Sequence, residues 1–239
     1  MRKIMSNLKY LINTYLVLIA ICMYSGNSVS QTLEVIADYP LIDDLVDDTG
    51  NNNDVFLEGN PTFPTLPSTG VSLCSNGIYI IDADGQNIET PIMPTFDIRN
   101  FSMEVEFNVT QLPGVINSRT RMPIIMGSRF ARWLGIYIDS SGVMGFKFNN
   151  FSTNYRWSNT SISGIGNWHS TKITYYNGHV ELFLDDQLIM TDDVGPLVTF
   201  QNTFNFSVTD FSEGNPFYGC IRNLIISTSP DLLFQNGFE

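Results

Sequence analysis

The stretch Phe101-Ser102-Met103-Glu104-Val105-Glu106-Phe107-Asn108-Val109 sets five apolar residues in alternation with four polar ones, without a slip. A period of two puts alternate side chains on opposite faces of an extended chain, so this segment reads as a strand with one face in a core and the other toward water. A sheet wetted on one side is an antiparallel sheet. Working outward, similar short runs occur at 71–74, 77–81, 123–126, 134–138, 144–148, 168–176, 180–184, 188–191, 204–208 and 220–226. Turn pairs separate them: Asp84-Gly85, Ser141-Gly142 and Asn177-Gly178. Asn-Gly tolerates the positive φ of a type I′ turn, so 175–180 reads as a tight hairpin. No window shows sustained 3.6 periodicity. The expected fold is all-β, a sandwich of two packed antiparallel sheets.

The chain has 239 residues, of which 43% are hydrophobic, 13% aromatic and only 15% charged, a profile of one folded β domain rather than disorder or a coiled coil. It opens Met1-Arg2-Lys3, continues through an apolar run from Leu11 to Ile21, and turns polar at Ser25. That is the pattern of a secretory signal peptide, with Ser28 and Ser30 at the −3 and −1 places for cleavage before Gln31. The apolar run is too short to span a bilayer, and bulky Ile21 disfavours lipidation of Cys22. A released protein with no membrane span is expected, secreted or periplasmic. Cleavage leaves nine Lys and Arg against 24 Asp and Glu, a net −15. This disfavours nucleic acid, whose affinity rests on Lys and Arg neutralising phosphates. Residues 31–229 form the expected domain and 230–239 a tail. Within the domain, the proline-rich 60–70 is a loop. Cys74 and Cys220 remain after cleavage; in an oxidising compartment they read as a disulfide, the alternative being two buried thiols in separate strands.

Four stretches carry a resemblance: Ala37-Asp38-Tyr39-Pro40-Leu41 with the Asx-rich 47–54; the strand at 101–109; Trp168-His169 leading to the Asn177-Gly178 hairpin and 180–185; and Phe217-Tyr218-Gly219-Cys220-Ile221-Arg222-Asn223-Leu224-Ile225-Ile226. In this order they resemble a laminin-G-like jelly roll of the concanavalin A-like lectin and glucanase superfamily, over roughly 35–228. The resemblance implies a jelly roll used as lectin, adhesion module, glucanase or lyase, and it implies a core position for Trp168. Fold alone does not choose among these uses. In laminin-G domains the cysteine at the place of Cys220 pairs with a later one, which is absent here, so Cys74 is its only available partner. Arg222-Asn223 and Asp186 stand where related modules carry aspartates and a glycine, so no family metal site transfers directly.

Glucanases of this superfamily place carboxylates at Glu-x-Asp-x-x-Glu on one strand face, and Glu104-Val105-Glu106 matches only its beginning, with Val109 at the last position. These acids read as a solvated strand face. His169 and His179, the only histidines, are too few for a three-histidine zinc site and read as surface or edge residues. Calcium needs six to eight oxygen ligands. Two Asx-rich loops offer them: Asp47, Asp48, Asn51, Asn53 and Asp54, and, with a weaker pattern, Asp82, Asp84 and Asn87. Either could instead solvate its own turn. For stacking, the candidates are Trp133, Tyr155, Trp157 and Tyr176, with Arg129, Arg132 and Arg156 as donors to a carboxylate or sulfate. Four arginines fall between 119 and 132 in an acidic chain, which marks an anionic-glycan patch or a solvated hairpin. Asn-x-Ser/Thr sequons stand at Asn100, Asn108, Asn150, Asn159 and Asn205. The expected function is a secreted, non-catalytic module that binds carbohydrate or an extracellular protein, with calcium as the candidate cofactor. Two alternatives are an adhesion protein without glycan affinity and a divergent glycan hydrolase or lyase.

Overall fold

The computed structural model describes residues 33–41, 45–51, 53–58, 78–80, 87–91, 93, 96–114, 120–127, 134–149, 155–197, 206–208 and 217–229. Among the described residues, fourteen strands run in order: β1 Glu34–Tyr39, β2 Phe56–Glu58, β3 Ile78–Ile80, β4 Asn87–Glu89, β5 Asn100–Val109, β6 Arg121–Gly127, β7 Leu134–Asp139, β8 Val143–Phe148, β9 Tyr155–Ser161, β10 Trp168–Tyr176, β11 His179–Leu184, β12 Gln187–Asp193, β13 Phe206–Val208 and β14 Gly219–Thr228. They form two seven-stranded sheets. The first has the order β1-β14-β5-β10-β11-β12, with β3 also paired to β14; the second has β2-β4-β13-β6-β7-β8-β9. Every pairing is antiparallel.

The opening stretch becomes β5, at the middle of the first sheet. Phe101, Met103, Val105, Phe107 and Val109 are fully buried. They meet Ile173 and Leu182 of the same sheet and Ile136, Ile138 and Phe146 of the other in one core. Burying each such side chain contributes roughly 1.5–3 kcal/mol. β10 follows the same rule, its burial alternating residue by residue. The hairpin to β11 turns on Asn177 and Gly178 with φ of 46° and 100°, the left-handed pair that a type I′ turn requires.

Several places depart from simple alternation. β1 breaks register between Val35 and Ala37, so neighbouring Ile36 and Ala37 are both buried. In β6 the irregularity falls between Pro123 and Ile125, where proline's missing N–H is tolerated. β14 gains one residue against β5 between Arg222 and Ile225, and Asn223 there takes a φ of 50°. A bulge of this kind re-aims side chains locally. The β11–β12 turn is made by Asp185 and Asp186, both left-handed without glycine. Among the described residues no helix is long and apolar enough to cross a membrane.

Candidate functional site

The second sheet carries an aromatic and cationic surface on its outward face. Register places Tyr137 opposite Gly145, and Gly145 opposite Trp157. Lys147 pairs with Gly135 on one side and Tyr155 on the other. The glycines make room. A Cβ on Gly145 would lie 2.5 Å from Trp157 Cε3, and one on Gly135 3.0 Å from Tyr137 Cε2, so the rings lie against bare backbone. Tyr155 and Trp157 are then parallel, with centroids 5.8 Å apart and planes 4° apart. Tyr137 meets Tyr155 edge-on at 5.2 Å. The Arg121 guanidinium sits 3.9 Å from the Tyr155 centroid and Lys147 Nζ 5.0 Å from it. Cations over a ring face are attracted by its quadrupole. Lys147 and Tyr137 are each only 1% exposed, so Arg121, Tyr155 and Trp157, all half-buried, are the members of this group that solvent reaches. Chemically, the surface joins flat apolar rings to a guanidinium fork.

The sequence candidates distribute unevenly. Tyr155 and Trp157 come together here. Arg156 lies on the opposite side of β9, where its Nε bonds Asp192 Oδ2 at 2.8 Å and ties the edge of one sheet to that of the other. Tyr176 belongs to the first sheet, exposed at the end of β10. Arg129, Arg132, Trp133, Cys74, Asp82 and Asp84 lie outside the described residues, and of Asn87 only the backbone is described. Cys220 is fully buried in β14. Tyr137 and Lys147 were not anticipated. The signal that could have found them is a pair of glycines inside strands, which marks close approach to the backbone.

The Asx-rich loop folds around Asp47. Its Oδ1 accepts from Asp38 N at 3.1 Å, Thr49 N at 3.0 Å and Thr49 Oγ1 at 2.8 Å, and Oδ2 accepts from Asn53 N at 3.3 Å. Asp54 Oδ1 accepts from Asp47 N at 2.9 Å, while Asn51 and Asn53 donate their side-chain amides to Ile36 O. Burial acts to raise the Asp47 carboxyl, but these donors outweigh it and hold the group below its ordinary value. Asp38 goes the other way, raised by burial and by the charges of Asp48 and Asp47. The loop thus closes on its own N–H groups. Among the described residues no three His, Cys, Asp or Glu side chains converge as metal ligands.

Two sequence readings are corrected. His169, expected at the surface, is 4% exposed on the inward face of β10. Its Nδ1 pairs with Asp185 Oδ2 at 2.8 Å, and Nε2 is buried without a partner. Trp168, for which the resemblance implied a core position, faces outward beneath the Arg222 guanidinium at 4.1 Å. Period two decides both, because Ile173 and Tyr175 fix which face of β10 enters the core. Glu104 and Glu106 do face outward together. Glu106 accepts from Arg222 Nε at 2.7 Å and Asn223 Nδ2 at 2.6 Å, an ion-paired anchor for the β14 bulge. Of the sequons, Asn100 and Asn108 are buried and Asn159 is exposed.

No protein-family model matches this sequence, and no curated protein does. Solved structures of similar fold exist. The chain is similar to the binding domain of botulinum neurotoxin serotype D, with a TM-score of 0.60 and 16% identity over 83% of this chain and 49% of that one. A botulinum neurotoxin DC binding domain in complex with SialylT gives 0.56 and 17% over 83% and 48%. Domain 4 of AbnA, an extracellular arabinanase of Geobacillus stearothermophilus in complex with arabinotriose, gives 0.56 and 17% over 83% and 94%. The chain therefore spans about half the length of the neurotoxin binding domains and nearly all of the arabinanase domain. At such identities the likeness concerns the fold: the chain is an all-β, two-sheet antiparallel sandwich of the kind found in carbohydrate- and receptor-binding domains.

Proposed function

We propose that the chain is an exported, non-catalytic binding module that takes a glycan bearing a carboxylate or sulfate on the outward face of its second sheet. The observation that carries this reading is the parallel Tyr155 and Trp157 pair with the Arg121 guanidinium 3.9 Å over the Tyr155 ring. Sugar rings have apolar C–H faces that pack on indole, and a guanidinium matches a carboxylate or sulfate with two parallel hydrogen bonds. This basic spot stands in a chain of net charge −12. An anionic ligand would therefore be guided to it and repelled elsewhere. The arabinotriose and SialylT complexes of similarly folded domains support carbohydrate as the ligand class.

The test is an array of neutral, sialylated, uronate and sulfated glycans probed with residues 31–239, repeated in EDTA. Binding of acidic glycans is expected, with Trp157→Ala and Arg121→Ala each weakening it about tenfold. Arg121→Lys keeps the charge but loses the fork, and should recover only part. Binding unchanged in both alanine variants overturns the site. No glycan bound in either condition moves the reading to a protein partner. Sugar fragments released from a polysaccharide would make the chain an enzyme.

A further inference from the structure

We propose a second ligand site, on the outward face of the first sheet, built for an uncharged sugar. The site does not depend on the Tyr155 and Trp157 surface, which belongs to the other sheet. Register lays Glu104, Lys172 and Phe183 side by side across β5, β10 and β11. With Ser170, Thr174 and Asp186 they line a depression of about 220 Å³.

The composition selects the ligand. Glu104 Oε2 and Lys172 Nζ stand 3.6 Å apart, and both side chains are more than a third exposed. That separation is an ion pair but longer than a direct hydrogen bond. A hydroxyl group fits such a pair, donating to the carboxylate while accepting from the ammonium. Glu106, one step along β5, differs because Arg222 and Asn223 hold its two oxygens at 2.7 Å and 2.6 Å. Thr174 Oγ1 donates to Glu181 Oε2 at 3.2 Å and so keeps its lone pairs for an incoming donor. Phe183 supplies a partly exposed ring at the floor, the apolar element that a sugar's C–H face needs.

Charge narrows the choice. Glu104 and Asp186, with Glu181 nearby, oppose an anion, whereas Lys172, 3.6 Å from Glu104, opposes a cation beside that carboxylate. Vicinal hydroxyls, each donor and acceptor, satisfy the set without a net charge. Trp168, already under Arg222 at 4.1 Å, lies about 14 Å along β10 from Lys172, so the depression takes one or two sugar rings rather than a long chain.

The experiment is a titration of ¹⁵N-labelled protein with maltotriose, cellotriose and mannotriose, each up to about 10 mM, since an open site of this size binds near the millimolar range. At least one trisaccharide should shift the amides of Ser170, Lys172, Thr174 and Asp186. Phe183→Ala and Glu104→Ala should each weaken that binding at least about tenfold, and Trp157→Ala should leave it unchanged. Glu104 is an exposed strand position, so its variant folds even where loss of the Phe183 ring disturbs the sheet. The absence of shifts at these amides with all three sugars, or shifts that persist undiminished in Glu104→Ala, overturns the second site. Loss of acidic-glycan binding in Trp157→Ala with trisaccharide binding intact separates the two surfaces.

Discussion

Asp47 organises a whole loop from a single carboxylate. Its oxygens accept from three backbone N–H groups and one hydroxyl. It is 4% exposed, so removing it leaves donors that water reaches poorly. Asp47→Ala should cost about 1–3 kcal/mol, read as a lower urea midpoint, and calcium added to the unsubstituted protein should leave its midpoint unchanged because N–H groups already fill the Asp47 oxygens. A midpoint raised by calcium in the unsubstituted protein and not in Asp47→Ala would show a cation at work there. Acid acts through the same group. Asp47 and Asp97 are both held below the ordinary carboxylate value. For Asp97, too, burial acts upward and is outweighed, here by the hydrogen bonds and charge of Arg99 and by Ser229. A depressed folded value adds stability that is fully present above the unfolded value and lost as pH falls through the folded one. Thermal midpoints should therefore decline below about pH 4, and Asp47→Asn should flatten that decline. Asp38 has the opposite sign, so Asp38→Asn should raise the midpoint at neutral pH and lose its advantage in acid.

Strands show how far side chains depend on their neighbours. Gly145 has no room for a Cβ, which would stand 2.5 Å from the Trp157 ring and also clash with the Arg156 carbonyl. Gly145→Ala should destabilise the protein by at least about 1 kcal/mol and shift the Trp157 fluorescence, and it should weaken acidic-glycan binding with it. The Arg156–Asp192 pair spans the two sheets at 2.8 Å, yet its side chains are 43% and 30% exposed. A double-mutant cycle should return no more than about 0.5 kcal/mol. β5, β10 and the hairpin after it were legible in the sequence because their alternation is unbroken. β1, β2, β4 and β9 carry no such period in the sequence. In β1 the bulge removes the period, and in β9 the rings and Arg156 stand where an apolar stripe would be expected. β2 and β4 have only three residues each, too few to show a period.

At the scale of the whole molecule, we propose export behind the leader at residues 1–30 and a disulfide between Cys74 and Cys220. Thiol titration of the denatured, unreduced mature protein should find no reactive group; two groups per chain would remove the disulfide. Its reduction should cost roughly 5 kcal/mol, given the length of chain it closes. The sequence by itself determined the all-β class, the antiparallel sheets, the Asn177-Gly178 hairpin and the acidic surface, because period, turn chemistry and charge are properties of neighbouring residues. Only the tertiary structure decided that Arg121 reaches Tyr155 across the two strands between them, that Arg156 turns away to Asp192, and that His169 is inside while Trp168 is out. Those outcomes depend on bulges and on which strands lie side by side, and residues far apart in the chain set both.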